Sequence, residues 1–303
     1  MFNNRYIVSI VASATLLLSQ FTAAETITVK HLMGETQVET KPERVVVLGM
    51  DSLDVLDKLG IEPIGVVKSP MPPYLTKFQD ERFKTVGSLF EPDFETIFTL
   101  KPDLIIVSNR SSGSISELEK IAPTVLFMAD SKHYWETTQQ AWRMIGDIFE
   151  KQEQVESIIR DQQDQIDAIH AKVTADKADA LVVMVSGGNL TTFGAKSRYG
   201  AIYSLFGFSE SYGNSETYQH GDAISYEYIT KVNPQYMLVL DRDAAIGQSK
   251  ATAKEQFDNP LINKLPVYRN DKISYLDSHA WYISASGIQA NQKMIDDIQS
   301  VLN

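Results

Sequence analysis

The sequence predicts an α/β protein of two lobes with parallel sheets, joined by a long linking helix, with a ligand cleft between the lobes. Three observations support this prediction. Short apolar segments alternate with helical patterns, as in parallel strands connected by helices. The segment 95–110 has a second copy at 227–242. A charged helical pattern without Gly or Pro, at 151–173, separates the two copies.

The two copies read ETIFTLKPDLIIVSNR and EYITKVNPQYMLVLDR, and they align without a gap. In each copy a Glu begins a short helical run, where its charge complements the helix dipole. A Pro follows and cannot continue the helix, and a fully apolar run then has the character of a buried parallel strand. Each copy is therefore predicted to be a helix that leads into a strand, with Arg110 or Arg242 just past the strand.

Residues 1–24 have the pattern of a secretory signal peptide, with Arg5 near the start, an apolar core, and Ala23 and Ala24 at the end. The apolar core is shorter than the roughly 20 residues that span a bilayer, although an uncleaved anchor is the alternative. The chain has no Cys, which excludes a disulfide framework, Cys-ligated zinc and a lipidated N-terminal Cys. We therefore expect a protein of the Gram-negative periplasm.

The remaining chain is long enough for two lobes of ordinary domain size. We assign 25–150 to the N-terminal lobe, 151–173 to the linking helix and 174–303 to the C-terminal lobe. The chain has 28 basic and 39 acidic residues, a formal net charge of −11. This charge argues against nucleic acid or an anionic membrane as a partner. An anionic small ligand would need a local cluster of arginines.

The elements of each lobe follow from local patterns. Apolar and polar residues alternate in a predicted edge hairpin. Asp51 and Gly60 are typical of the start and the end of a helix. The linking helix shows an apolar stripe at a spacing of three and four residues. The same pattern at 151–173 would also fit an ordinary surface helix. The predicted elements are a hairpin at 27–38, strands at 44–48, 61–67 and 125–128, a helix at 137–149, a strand at 180–185, a loop at 187–194, a helix at about 199–206, a strand at 272–276 and a final helix at about 288–302.

Three arginines are candidates for binding an anion. Arg110 and Arg242 lie past the carboxyl ends of their strands, which is the edge of an open α/β sheet where ligands bind. Arg198 precedes a predicted helix start, where a cation is unfavourable unless an anion binds there. The alternative for any single arginine is a surface ion pair with a neighbouring carboxylate such as Asp241 or Asp243.

Other chemistry-bearing residues give weaker signals. His220 lies in a Gly-containing loop, and Trp281 and Tyr282 follow the last strand. The five His residues show no close pairing, which disfavours a His-rich zinc site. Motifs of the GxSxG and HExxH types do not occur. We therefore predict a binding protein and not an enzyme.

These residues together resemble a known family, the class III periplasmic substrate-binding proteins of ABC importers of iron chelates and vitamin B12. Within it, the chain is most similar to catecholate-siderophore binders of the enterobactin type. The motifs that carry this likeness are SNR at Arg110, RYGAI at Arg198, YQHGD at His220, LDRDAAI at Arg242 and YLDSHAWYISASG through Tyr282.

The resemblance implies two Rossmann-like lobes and a monomer that captures a ferric catecholate siderophore and delivers it to an inner-membrane ABC permease. No intrinsic cofactor is implied, because the ferric iron arrives as the siderophore complex. Haem, a corrinoid or a ferric hydroxamate are the alternative ligands, and an exported enzyme of unknown chemistry is the more distant alternative.

The resemblance also implies roles for individual residues. The arginines contact the catecholates, His220 and Tyr282 complete the coordination of the iron, and one Glu of each lobe docks on the permease. The implied residues are Arg110, Arg198, Arg242 and Trp281 for the ligand, His220 and Tyr282 for the metal, and Glu95 and Glu227 for the permease.

Overall fold

The computed structural model describes residues 25–211, 221–248 and 252–303. The predicted signal peptide and His220 lie outside the described residues. Within the described ranges, no helix is both long enough and apolar enough to cross a membrane.

The part of the chain before the linking helix, here called the N-lobe, holds a five-stranded parallel sheet with the strand order β5-β4-β3-β6-β7. An antiparallel hairpin precedes it, as the alternating pattern predicted. The strands are β1 (Thr26–His31), β2 (Gly34–Glu39), β3 (Val45–Val47), β4 (Gly65–Val66), β5 (Lys84–Thr85), β6 (Leu104–Ser108) and β7 (Thr124–Phe127). The helices are α1 (Met50–Lys58), α2 (Phe94–Leu100), α3 (Ile115–Leu118) and α4 (Tyr134–Ile148), with 3₁₀ turns at Pro73–Gln79 and Asn109–Ser114.

The linking helix α5 spans Gln152–Ala175, within two residues of the predicted bounds at each end. Its predicted apolar stripe is buried except for the half-buried Ile158. The same face contains a buried Gln162, whose side chain donates a 3.0 Å hydrogen bond to the carbonyl of Ile288 at the start of α12. The predicted fold of two α/β lobes joined by a long helix is confirmed.

The part of the chain after α5, the C-lobe, has a six-stranded sheet with the order β11-β9-β8-β12-β13 and β10 paired to β8. The strands are β8 (Asp179–Ser186), β9 (Asn189–Phe193), β10 (Ser209–Glu210), β11 (Asp222–Ile224), β12 (Tyr236–Asp241) and β13 (Ile273–Tyr275). The helices are α6 (Ala201–Ser204), α7 (Tyr226–Val232), α8 (Arg242–Ala245), α9 (Ala253–Phe257), α10 (Pro266–Arg269), α11 (Ser278–Tyr282) and α12 (Ile288–Leu302), with a 3₁₀ turn at Ile262–Lys264.

The C-lobe sheet corrects one prediction, because it is mixed and not purely parallel. The segment 187–194, predicted as a loop, turns the chain back so that β9 pairs antiparallel with β8. Gly187 and Gly188 both have positive φ, at 57° and 79°. Two such residues form the tight turn that suits the twist of a hairpin. The glycines therefore belong to a hairpin turn, and the residues after them continue as a strand.

The duplicated units have the same structure in both lobes. Helices α2 and α7 begin at equivalent positions, where the side chains of Asp93 and Ser225 cap them. Both end on a left-handed residue directly before the Pro, Lys101 at φ 47° and Asn233 at φ 48°. Strands β6 and β12 follow, and β12 is buried on both faces because alternate residues contact two separate core clusters. The prediction from the repeat is confirmed.

Helix α12 begins against the N-lobe. Asp54, fully buried on α1, accepts hydrogen bonds from the backbone N–H groups of Gln289 (2.7 Å) and Ala290 (2.9 Å). A Cβ at Gly287 would lie 2.5 Å from the Asp54 carboxylate, so only glycine permits this approach. An N-lobe carboxylate thus caps a C-lobe helix, satisfying N–H groups that have no partner within the helix.

The residues just before α12 are also held by the N-lobe. The indole of Trp142 donates a 2.6 Å hydrogen bond to the carbonyl of Ser286, and the Tyr134 hydroxyl accepts from the N–H of Ser286 at 3.1 Å. The hydroxyls of Tyr74 and Ser284 are 2.6 Å apart. These bonds and the linking helix tie the two lobes together.

Replacing Asp54 by Ala is expected to lower the free energy of unfolding by about 2–4 kcal/mol, because two N–H groups at the start of α12 would lose their acceptor. Urea unfolding followed by circular dichroism measures this loss. Asp164→Ala, on the exposed face of α5, is the control and should change little. Equal stability of the two variants would contradict the capping role of Asp54.

The comparison of wild type with Asp54→Ala should also depend on pH. Burial raises the pKa of Asp54 to about 7, whereas the pKa of an Asp in an unfolded chain is about 3.9. Between these pH values the folded protein keeps a proton that the unfolded chain has lost. The stability that the protonated Asp54 contributes is therefore full below about pH 4 and is lost as the pH rises through about 7. The difference in unfolding free energy between wild type and Asp54→Ala should shrink over that range.

Candidate functional site

Three predicted arginines lie where the two lobes meet. Arg110 stands in the 3₁₀ turn after β6, and Arg242 is the first residue of α8 directly after β12. Arg198 lies in the segment that leads to α6 and is exposed. Because β6 and β12 are equivalent strands of the two lobes, the repeat places one arginine from each side at the shared edge.

The three guanidinium groups surround one aromatic ring, that of Tyr282 at the end of α11. The ring centre is 5.6 Å from Cζ of Arg110, 4.7 Å from Cζ of Arg198 and 5.6 Å from Cζ of Arg242. Such distances are typical of cation–π contacts. The structure therefore brings the predicted arginines together around Tyr282.

Hydrogen bonds fix two of the arginines. The Arg110 guanidinium donates across the lobes to the carbonyls of Tyr282 (2.8 Å) and Ile283 (3.3 Å). Arg242 donates through Nε to the Tyr282 hydroxyl at 2.9 Å and through Nη1 to the Ser186 hydroxyl at 3.1 Å. The guanidinium planes are therefore preorganised for paired hydrogen bonds to an anion.

Ser186 was not among the predicted site residues. It lies at the carboxyl end of β8, next to the hairpin turn, and its hydroxyl supports Arg242. The sequence did place Ser186 directly after a predicted strand, where ligand-site residues are common. It gave no sign that the Ser186 side chain would meet Arg242.

The cluster has a local positive charge in an acidic protein. Burial lowers the pKa of Arg110; the nearby charge of Asp51 opposes this effect, and the charge of Arg198 adds to it. Arg242 has a carboxylate neighbour in Asp243, 3.8 Å away, which also accepts a 2.6 Å hydrogen bond from the Gly187 N–H. Three cations therefore face two carboxylates, so an anionic ligand would be attracted.

The arginines also change the acidity of Tyr282. Burial alone would raise the pKa of this phenol, but the hydrogen bond from Arg242 and the charges of Arg242, Arg198 and Arg110 lower it below its ordinary value. The arrangement favours the phenolate, which is a hard oxygen donor of the kind that ferric iron prefers.

The structure gives Trp281 a structural role. Its side chain is 2% exposed, packs in the core with Phe206, and donates a 2.8 Å hydrogen bond to the Asp297 carboxylate. Trp281 and Tyr282 are adjacent on α11, so their side chains leave the helix in different directions, and only Tyr282 points to the arginines. We therefore remove Trp281 from the candidate ligand contacts.

The two predicted docking residues are exposed and occupy equivalent positions. Glu95 lies in the first turn of α2 and Glu227 in the first turn of α7. A hydrogen bond with the Ser225 side chain holds the pKa of Glu227 below its ordinary value. Each lobe thus presents one carboxylate from the repeated unit.

The remaining predicted metal ligand, His220, lies outside the described residues. In the part of the chain that the structure describes, no group of three or more His, Cys, Asp or Glu side chains could hold a metal ion. Of the two predicted iron ligands, only Tyr282 is among the described residues, and its contact with iron stays a prediction.

Two linked α/β lobes with a cationic cluster at their shared edge define a substrate-binding protein. The chain belongs to the periplasmic binding protein family, whose model matches residues 45–280. The family membership that the motifs predicted is confirmed.

Relatives with known ligands are similar over nearly the whole chain. The petrobactin-binding protein YclQ of Bacillus subtilis is 41% identical over 289 residues, covering 93% of this chain and 90% of the relative. The ferric-anguibactin-binding protein FatB of Vibrio anguillarum is 32% identical, with coverage of 90% and 86%. The crystal structure of the periplasmic catecholate-siderophore binding protein VctP from Vibrio cholerae has a TM-score of 0.88 and 46% identity, covering 91% of this chain and 100% of that one.

Proposed function

We propose that this protein captures a ferric catecholate siderophore in the periplasm and delivers it to an inner-membrane ABC permease. The convergence of Arg110, Arg198 and Arg242 on Tyr282 carries this proposal. The similarity to a periplasmic catecholate-siderophore binding protein supports the same ligand class, and the relatives that bind petrobactin and ferric anguibactin support an iron-chelate ligand. On this proposal the protein is a monomeric binder without an intrinsic cofactor or catalytic activity.

The chemistry of the ligand matches the cluster. A ferric ion bound by two or three catecholate dianions is net negative, planar at each ring and rich in oxygen. Guanidinium groups donate paired hydrogen bonds to such oxygens and stack on flat rings. A ferric hydroxamate is neutral and would not need three arginines, so the cluster favours the catecholate over this alternative.

The direct test compares three ligand classes with the wild-type protein. We expect ferric enterobactin to quench the fluorescence of the three Trp residues, and ferric hydroxamate and haem to quench little at the same concentration. Quenching by none of the three ligands, or by haem alone, would contradict the proposal.

Tyr282 and His220 are proposed to bind iron directly when the chelator supplies only two catechols and leaves two of the six octahedral positions open. The lowered pKa of Tyr282 supports its part, because less free energy is needed to form the phenolate. Metal binding lowers that pKa further, as it does for bound water. The alternative is that Tyr282 only stacks against a catechol.

Spectroscopy distinguishes the two roles. With a tetradentate bis-catecholate, we expect the ferric complex of the wild type to show a charge-transfer band like that of a tris-catecholate, and this band should shift in Tyr282→Phe and in His220→Ala. A hexadentate chelate is the control, since it leaves no position open and its band should be the same in all three proteins. Identical bands with the tetradentate ligand would reduce both residues to pocket lining.

Glu95 and Glu227 are proposed to engage basic residues of the permease, one from each lobe. Their exposure and their equivalent places in the repeat support this role. The alternative is that each stabilises its helix start, which is worth about 0.3–1 kcal/mol.

A further inference from the structure

We propose that Phe90 forms the N-lobe wall of the ligand site and packs against a catechol ring of the bound chelate. This inference rests on the function proposed above and adds a ligand contact that the motifs did not supply. Phe90 is 66% exposed. Single exposed apolar residues are common on protein surfaces, so the argument depends on how this side chain is held and what it faces.

A closed turn fixes the outward position of Phe90. The Ser88 hydroxyl accepts hydrogen bonds from the N–H groups of Phe90 (3.2 Å) and Glu91 (3.0 Å), and the Ser88 N–H donates to the carbonyl of Glu91 at 2.9 Å. An antiparallel bridge between Gly87 and Pro92 closes the base of the turn. The backbone on both sides of Phe90 is therefore tied down.

The residue before Phe90 takes the inward position of the turn. Leu89, the preceding residue, is 3% exposed and anchors the turn in the core. Gly87 has φ 104°, and a Cβ there would collide with the carbonyl of Glu91. One apolar side chain thus fills the core position, and the next must point to solvent at the tip of the turn. Because the backbone of this turn is already ordered, a ligand that packs on Phe90 does not have to order the turn first.

The exposed ring lies beside one arginine of the cluster, Arg110. Cζ of Arg110 is 6.0 Å from the centre of the Phe90 ring and 5.6 Å from the centre of the Tyr282 ring. Arg110 therefore contacts one aromatic ring from each lobe. A catecholate whose oxygens accept from Arg110 would place its own flat ring beside Phe90, where aromatic rings attract through offset or edge-to-face packing.

A second exposed phenylalanine provides a matched control. Phe98 is 67% exposed, near the end of α2. In the part of the chain that the structure describes, its ring makes no cation–π contact with the arginines, whereas Phe90 does. The two residues have the same side chain and nearly equal exposure, and they differ in their contact with Arg110.

The experiment measures the Kd of ferric enterobactin by fluorescence quenching for wild type, Phe90→Ala, Phe90→Leu, Phe90→Tyr and Phe98→Ala. Loss of one aromatic packing partner should weaken binding about tenfold in Phe90→Ala. Phe90→Leu, which keeps apolar bulk without a ring, should lose most of the same affinity, and Phe90→Tyr and Phe98→Ala should match the wild type. Thermal unfolding midpoints of all variants should be unchanged, since both side chains are exposed.

The outcomes separate this inference from the proposed function. If the wild type does not bind ferric enterobactin, the proposed function fails and the role of Phe90 fails with it. If the wild type and Phe98→Ala bind equally and Phe90→Ala binds as tightly, only the role of Phe90 is overturned. Wild-type affinity in Phe90→Leu would show that bulk and not an aromatic ring is needed, which also overturns the proposal.

Discussion

Replacing any one of Arg110, Arg198 and Arg242 by Ala is expected to weaken ferric-catecholate binding by about one to two orders of magnitude, because each charge-assisted contact is worth about 1.5–3 kcal/mol. Lys at the same positions should restore only part of the affinity, since a point charge cannot reproduce the planar guanidinium. Fluorescence titration with ferric enterobactin measures the change. The triple Ala variant should show the largest loss.

Arg82→Ala is the matched control for these variants. Arg82 also stacks on an aromatic ring, with Cζ 4.5 Å from the centre of Phe83, and it pairs with Glu62 at 3.0 Å away from the cleft. Its replacement should leave Kd unchanged. Arg110 also donates hydrogen bonds to C-lobe carbonyls, so Arg110→Ala could lower stability as well as affinity. The thermal unfolding midpoint of Arg110→Ala is therefore compared with that of Arg198→Ala. Wild-type affinity in the triple Ala variant would show that the cluster is not the ligand site.

Replacing Glu95 and Glu227 together by Gln is expected to abolish siderophore-dependent growth while binding of the ligand in vitro stays intact. The physical reason is that docking through two carboxylates needs their charge, whereas neither residue lies among the arginines around Tyr282. Growth on ferric siderophore as the sole iron source, with Kd measured on the same variants, separates delivery from capture.

The control for docking is Glu153→Gln, which removes an exposed Glu from the first turn of α5 and so reproduces the change in helix-start charge alone. This variant should grow normally. If the double variant of Glu95 and Glu227 also grows normally, the two residues serve only to stabilise their helices.

The elements that the sequence determined are those whose signals are local. The two helix-strand units were predicted because Glu, Pro and a fully apolar run each have a fixed meaning over a few residues. The linking helix was predicted from an uninterrupted three-four spacing. The hairpin turn at Gly187 was missed for the converse reason, since glycines are compatible with a loop and with a tight turn, and only the pairing of β8 with β9 distinguishes them.

The tertiary structure decided which side chains meet. The sequence placed Arg110 and Arg242 at strand ends, but their distances to Tyr282 depend on how the two lobes face each other, which no local pattern specifies. In the sequence, the neighbours Trp281 and Tyr282 are both aromatic, and the neighbours Leu89 and Phe90 are both apolar enough for a core. Burial is a property of the packed chain, and so only the fold could assign Trp281 and Leu89 to the core and leave Tyr282 and Phe90 beside Arg110.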